Sequence, residues 1–441
     1  MIKTSSLLLL FLGANDLANA SGFALIEQSA SGMGNAFAGA AAVAEDASTI
    51  FFNPAGMTYL PDNQLVLGGH AVITSAEFTD YGSKTISPTG TPTALKGGNG
   101  GDPGGIGLIP NFYFTKAIND RWRAGIGLNS PFGLKTEYDA GWQGRYQAVK
   151  SELITANINP SLAFKVNQRL SLGGGINISY AETTLTSAVD SGTICYGSLN
   201  PAVCSGKLGL TPQNADSAIA MTGSDWGWGY NLGGIFQVTD ALRLGVAYRS
   251  GMRFSLNGNA NFSQVPTALS AILTPSKITA ALNLPDTVAT SLAYQLNPQW
   301  QLLADVTWTN WETFKQLQVV RANGSVLYKQ AENWQGSLRY SVGASYQYSD
   351  KLKLRYGFAL DETPVTSKFR TARTPDSNRF WLSVGLSYQL STSNHVDVGY
   401  THIFMNDAAI NQGAVGTPTG QLLGRYDSNI NIISAQFNHV F

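Results

Sequence analysis

Few residues in this 441-residue chain have types and spacings that could do chemistry. His70, His395, His402 and His439 stand at no spacing suited to a metal, and no Ser-His-Asp grouping assembles around them. Gly97 to Gly105 is glycine-rich, but no Gly-Lys-Ser/Thr follows, so it reads as an external loop and not as a phosphate cradle. No catalytic residue, metal site or cofactor motif is read from the sequence. Cys195 and Cys204 are the only cysteines and share one long connection. An oxidising compartment favours a disulfide between them, the alternative being two free thiols. There remain the arginines at 123, 243, 249, 339, 355 and 379, all on the polar row of segments that alternate with apolar residues. A cation held there can receive an anion that has left water. For any single one the favoured alternative is an ion pair with Asp305, Asp361, Asp397 or the segment over 21–62.

The elements that carry those arginines are strands. Charged residues make up only 13% of the chain, whereas glycine (47 residues) and aromatics (11%) are abundant. A soluble domain carries roughly 25% charge. Beyond the N-terminus no apolar run approaches the ~18 residues of a membrane helix. The balance of 28 basic and 28 acidic residues gives no sign of a nucleic-acid partner. Leu352, Leu354, Tyr356, Phe358 and Leu360 alternate with Lys353, Arg355, Gly357 and Ala359, and the pattern recurs over 121–128, 242–249 and 379–390. Each apolar row is free of charge, as hydrocarbon demands, since a midplane Arg or Lys there costs about 2–4 kcal/mol.

Connection lengths sharpen the reading. Turn-like sites at Asn119-Asp120, Asn167-Gln168, Thr239-Asp240, Asn297-Pro298, Ser349-Asp350 and Ser391 to Asn394 alternate with long segments near 78–105, 130–148, 186–225, 256–285, 310–336, 363–378 and 407–425. This predicts an all-β fold: a 14-stranded antiparallel transmembrane β-barrel over 63–441, with short periplasmic turns opposite long external loops. Residues 1–20 read as a signal peptide, with Lys3, an apolar core over 7–12 and Ala18-Asn19-Ala20 as the cleavage site. Phe441 ends a mostly apolar row, as on the closing strand of an outer-membrane barrel. Residues 21–62 are rich in Gly, Ala and Ser with little alternation, and are expected to fill the lumen as a small N-terminal hatch rather than hang as a periplasmic tail. Pro160 falls inside the fourth strand and marks either a break or a bulge.

Several motifs then add a resemblance. Ser21-Gly22-Phe23, Ser29-Ala30-Ser31-Gly32-Met33-Gly34-Asn35-Ala36 and Asn53-Pro54-Ala55 resemble the hatch of the FadL family. Similar stretches follow at Asp225-Trp226-Gly227-Trp228-Gly229-Tyr230-Asn231, Trp308-Thr309-Asn310-Trp311 and Arg379-Phe380-Trp381-Leu382-Ser383. The resemblance implies a plugged fourteen-stranded barrel of the Gram-negative outer membrane, surrounded by outer-membrane lipids. It would move long-chain fatty acids inward without ATP, through an external groove, a lumen pocket and a lateral exit beside a kinked third strand. Leu269, Ile272 and Leu273, with Ile278 and Leu282, suit helices of the fourth external loop with a lipophilic face, the alternative being packing within the loop. Gly125 and Gly127, before Asn129-Ser130-Pro131, are expected at the third-strand kink. Phe23 and Leu25 would reach the pocket from the hatch, and Asn53, Pro54 and Ala55 would shape it.

Lys329 matches a family position associated with the fatty-acid head group and ranks first among the cations, with Arg339 and Arg355 after it. A basic partner that the family carries on its fifth strand is missing, and Glu182 stands in that stretch. Import of neutral hydrophobic compounds such as aromatic hydrocarbons is therefore the alternative on the same fold. An outer-membrane enzyme lacks a recognisable nucleophile and base, and a general aqueous porin fits poorly with a plugged lumen.

Overall fold

A computed structural model describes residues 22–87 and 90–441, so the leader read over residues 1–20 lies outside the described residues. Fourteen strands form the wall: β1 Gln64–Asp80, β2 Gly105–Ala117, β3 Trp122–Asn129, β4 Lys150–Lys165, β5 Leu170–Asp190, β6 Asp216–Gln237 and β7 Leu242–Arg249 in the first half. The second half holds β8 Thr287–Gln295, β9 Trp300–Thr309, β10 Ser337–Gln347, β11 Leu352–Asp361, β12 Arg379–Gln389, β13 Asn394–Met405 and β14 Gln421–Val440. Each strand is antiparallel to the next. β1 then pairs with β14 from Gln64↔Val440 to Asp80↔Gly424, which closes the ring and removes both edges.

The short turns have a local cause. Asn119 Oδ1 accepts from the backbone N–H groups of Arg121 and Trp122 at 2.9 and 3.0 Å. Asn167 and Asn297 repeat the arrangement. A short amide that mimics a backbone turn fixes a tight reversal. The burial of the two rows is inverted relative to a soluble sheet. Leu382, Val384, Leu360 and Val246 are about half exposed, while Ser383, Thr401, Asn231 and Asp397 are buried. Apolar side chains face lipid and polar ones face inward.

Pro160 interrupts the β4–β5 ladder without shifting it, because Ile158↔Ile178 and Ser161↔Gly175 keep the same register. The N–H missing at Pro160 is replaced by the Asn159 side chain, whose Nδ2 donates to Ile176 O at 2.9 Å.

Two expectations need correction. The fourth external loop carries no helix beyond a short 3-10 turn at Thr267–Leu269. It is a β-hairpin, Met252–Ser263 with Ser276–Leu284, which pairs onward with a second hairpin from the fifth loop, Gln316–Arg321 with Val326–Ala331. Met252, Phe254 and Leu256 facing Leu282 and Leu284 form a period-2 apolar row that needs a sheet. Nor does β3 bend at Gly125 or Gly127, since the ladder is continuous there on both sides. A Cβ on Gly125 would lie 2.6 Å from Ile50, so that glycine makes room for the hatch.

The break comes at Ser130-Pro131-Phe132. Asn129 pairs with Asn157 and Gly133 with Ile154, so the β3 side holds one extra residue. Pro131 has no N–H to continue the ladder. As a result β2 from Gly105 to Asn111 pairs with β1 but has no ladder partner on its β3 side.

Residues 22–60 lie inside the ring as three short helical turns, Ala30–Gly34, Ala40–Val43 and Thr49–Phe52, followed by a 3-10 turn at Pro54–Tyr59. The wall receives this backbone where its inward row lacks side chains. A Cβ on Gly245 would lie 2.0 Å from Ala41 O, and one on Gly233 would lie 1.9 Å from Asn53 Oδ1.

Candidate functional site

The hatch is fixed by the Asn53 side chain. Its Nδ2 donates to Ala41 O at 2.7 Å within the hatch and to the wall carbonyls of Gly234 and Val246 at 3.1 and 3.3 Å. Its Oδ1 accepts from Ala55 N, and Pro54 opens the 3-10 turn that follows. A fully buried amide can hold a helix start and a strand ladder together only if each of its atoms is used, as here.

At its start the hatch adds to the broken third strand. Leu25 N donates to Pro131 O and Gly133 N to Phe23 O, both at 2.9 Å, with Ala24 bridged to Phe132. Gln28 spans the unpaired seam in the wall. Its Nε2 donates to Ser130 O on the β3 side at 2.8 Å, and its Oε1 accepts from Asn111 Nδ2 on β2 at 2.9 Å. His70 and Ser434 continue this buried polar chain into β1 and β14. Sequence reasoning missed Gln28, because a lone glutamine in a segment without alternation gives no pattern.

Above this seal lies a cavity of about 140 Å³. Leu25, Ile26, Phe51, Phe52, Phe132, Trp311 and Trp381 make its apolar side, while Thr287, Thr309, Ser337, Arg249, Arg339 and Asp361 make its polar side. A second, apolar hollow of about 80 Å³ lies further out, lined by Phe23, Leu134, Leu153, Met221, Leu256, Ile278, Leu282, Phe314 and Val319. Between the two stands an aromatic cluster. The Phe23 ring lies 4.6 Å from Trp311, 5.3 Å from Trp334 and 5.4 Å from Phe314. Gly22 precedes it with φ +63, and a Cβ there would lie 2.7 Å from Trp334, so glycine alone fits beneath these rings.

The arginines separate by their partners. Arg355, expected as a substrate cation, is held at 2.8 Å by both Asp397 and the hatch residue Glu45 and does not line the cavity. Arg379 pairs with Asp376, and Arg243 donates to Val43 O of the hatch. Arg339 is different. Buried at 6% exposure, it donates to Ala36 O and lies over the Trp381 ring at 4.9 Å, with its Nε unbonded. Among the described residues no carboxylate comes within 4.0 Å of Arg339 or of Arg249, which donates to Asn177 and to Phe51 O.

Lys329 sits on the exposed face of the fifth-loop hairpin and reaches neither hollow. Leu269 and Leu273 pack against the two short helices of the third loop, which Cys195 and Cys204 join by a disulfide, and Ile272 is exposed. These three leucine and isoleucine side chains therefore line neither hollow. Glu182 lies on the outward row of β5, bonded to the Tyr180 hydroxyl, and does not face the lumen.

Comparison with known proteins agrees with this architecture. Residues 12–441 match the family described as outer membrane protein transport protein (OMPP1/FadL/TodX). The long-chain fatty acid transport protein of Escherichia coli K12 is 31% identical over 411 residues, covering 89% of this chain and 90% of that protein. Outer membrane protein P1 of Haemophilus influenzae is 30% identical over 403 residues, covering 88% and 86%. A crystal structure of a Pseudomonas aeruginosa FadL homologue superposes with a TM-score of 0.84 at 24% identity, covering 95% of this chain and 100% of that one. The Pseudomonas putida toluene transporter TodX shares the fold with a TM-score of 0.66 at 18% identity, covering 90% and 94%. Lipid-facing rows around a closed, plugged ring and a family match over nearly its whole length place the chain in the Gram-negative outer membrane, where it belongs to the OMPP1/FadL/TodX family of transport proteins.

Proposed function

We propose that this barrel takes up long-chain fatty acids passively across the outer membrane. The observation that carries the reading is Arg339, a buried guanidinium at the wall of a mostly apolar cavity with no carboxylate within 4.0 Å among the described residues. An acyl chain gains roughly 0.8 kcal/mol per methylene on leaving water, so apolar surface suffices to hold it. Its carboxylate needs a cation inside, and Arg339 with Arg249 offers one. The acid lands in the outer hollow, displaces Phe23 from the aromatic cluster and places its head group beside Arg339. Phe23 and Leu25 carry the strand that seals the β3 break, so the same displacement opens the seam beside β2 toward the membrane. The fatty-acid transport function named for the relative from Escherichia coli supports this substrate class.

Cavity size makes hatch movement part of the mechanism. About 140 Å³ is close to the roughly 150 Å³ of an engineered apolar cavity that holds one benzene. A long acyl chain therefore fits only when the cavity and the outer hollow join. The same number, with Asp361 lining the cavity beside Arg339, favours a second reading in which a neutral aromatic hydrocarbon is taken up by the same route. The test compares oleate and toluene uptake by cells lacking their own transporter, with Arg339→Met in this barrel. Loss of a charge-assisted hydrogen bond of about 1.5–3 kcal/mol should lower oleate uptake at limiting concentration roughly 10- to 100-fold. Toluene uptake should be unchanged. Equal losses for both substrates would remove the head-group assignment and leave the neutral reading.

A further inference from the structure

The four strands of the external sheet, Met252–Ser263, Ser276–Leu284, Gln316–Arg321 and Val326–Ala331, contain Arg253, Lys277, Arg321 and Lys329 and not one acidic residue. Apart from Arg321 and Gln330 their inward row is mostly apolar and lines the outer hollow, whereas the outward row includes Arg253, Asn257, Lys277, Asn283, Gln318 and Lys329. Part of that outward face is an open groove of about 630 Å³, where Lys315 and Lys329 stand among Asn283, Gln316, Gln318 and Asn333. The groove is more polar than either hollow, its apolar part coming from Phe314, Ala281 and Ala331. An acyl chain gains less there than in the two hollows, whereas a phosphate ringed by sugar hydroxyls finds cations for its charge and side-chain amides for its hydroxyl groups.

The position of the face selects the source of such a ligand. The sheet continues upward from the ends of β7, β8 and β9 and pairs with β6 through Asn257↔Ser224. Directly below, on the lipid-facing row, Trp226, Trp228, Tyr230 and Trp308 are exposed, as at a membrane interface. A basic, amide-rich face just above an aromatic girdle meets the head groups of the outer leaflet. We propose that this face binds the phosphorylated saccharide head group of lipopolysaccharide and that Lys329 serves this contact, not a fatty-acid carboxylate. The lipopolysaccharide contact stands independently of the substrate reading above, and only the palmitate comparison rests on that reading.

The experiment uses the full-length barrel in dodecyl maltoside micelles, with rough-type lipopolysaccharide as the probe and native mass spectrometry counting the bound glycolipid. Wild type should retain lipopolysaccharide, and the double variant Lys315→Gln/Lys329→Gln should bind it about 25-fold more weakly, since each cation at an anionic lipid surface is worth about a factor of five. Both side chains are exposed, so the variant keeps its fold, and palmitate should bind it as it binds wild type. Lipopolysaccharide stripped of phosphate should bind both proteins equally weakly. Undiminished binding by the variant overturns the proposal, as does tight binding of the dephosphorylated glycolipid. Displacement by inorganic phosphate at equal concentration would make the face a free-phosphate site and refute the lipid assignment. A parallel loss of palmitate affinity would return Lys329 to the fatty-acid path.

Discussion

Replacing Gln28 by alanine should loosen the seal over the β3 break while leaving the barrel intact. Three hydrogen bonds disappear: Nε2 to Ser130 O at 2.8 Å, Nε2 to Leu25 O at 3.0 Å, and Asn111 Nδ2 to Oε1 at 2.9 Å. All are buried, and each is worth about 1 kcal/mol net, so the sealed arrangement loses about 3 kcal/mol. That shift raises the population of the open seam roughly a hundredfold. The amides of Leu25 and Gly133 report it directly, because their acceptors, Pro131 O and Phe23 O, lie across the seal. Hydrogen exchange at those two amides should speed up by about that factor, while amides of the β1–β14 ladder keep their protection. Gln28→Glu keeps an acceptor for Asn111 but loses both donors, and should behave as Gln28→Ala does. Unchanged protection at Leu25 and Gly133 in the alanine variant would refute the claim that Gln28 closes the wall.

Other outcomes follow from the same contacts. Gly245→Val places a Cβ 2.0 Å from Ala41 O and should expel the hatch from β7; cells should become permeable to hydrophobic antibiotics, with the purified barrel still shifting mobility on heating. Asn53→Ala removes three buried donor contacts and should weaken hatch docking by about 2–4 kcal/mol, measured as earlier proteolysis within residues 22–60. In the fifth loop, burial raises the Glu332 carboxyl from its ordinary 4.5 to about 8, opposed by the Trp334 N–H and by Arg373. An acid so raised binds its proton more tightly when packed, so its stabilisation is full below about 4.5 and is lost as pH rises through about 8. Tryptophan fluorescence from Trp334 and Trp311 should shift to the red with a midpoint near 8, and Glu332→Gln should abolish that step. Reducing the Cys195–Cys204 bond, which closes a nine-residue separation, should destabilise the third loop by about 2.5 kcal/mol and leave palmitate binding in the lumen unchanged.

The wall was legible in the sequence because a strand alternates its side chains strictly, and lipid tolerates no charge on one of the two rows. Leu382 and Val384 beside Ser383 give the orientation without any structure. Short Asn-led turns marked one end for the same local reason. The site was less legible, since partners there are set by distance in space. Arg339 and Arg355 occupy the same kind of row, yet only Arg355 meets Glu45, which is 310 residues away in the chain. Gly125 and Gly127 look like a hinge in sequence because glycine permits bending, but here it serves close packing against Ile50 and Tyr113. Leu269, Ile272 and Leu273 have helical spacing, and that local pattern concealed the stronger alternation at Met252, Phe254 and Leu256.

The proposed placement of the gate at β3 rests on where the wall depends on its plug. A membrane barrel must satisfy its backbone polar groups within its own ladder, and most of this wall does so without help from the hatch. The carbonyls of Gly234 and Val246 accept from Asn53 as well, but both residues lie within the β6–β7 ladder. At Ser130, Pro131 and Gly133 the situation differs, because Gln28, Leu25 and Phe23 supply the partners that β2 does not. Withdrawing the first residues of the hatch therefore strands backbone groups at one place only, beside the seam. Under the proposed mechanism, a ligand that displaces Phe23 and solvates or covers those groups would lower the cost of opening there, so selectivity for the route and selectivity for the ligand would reside in the same few residues.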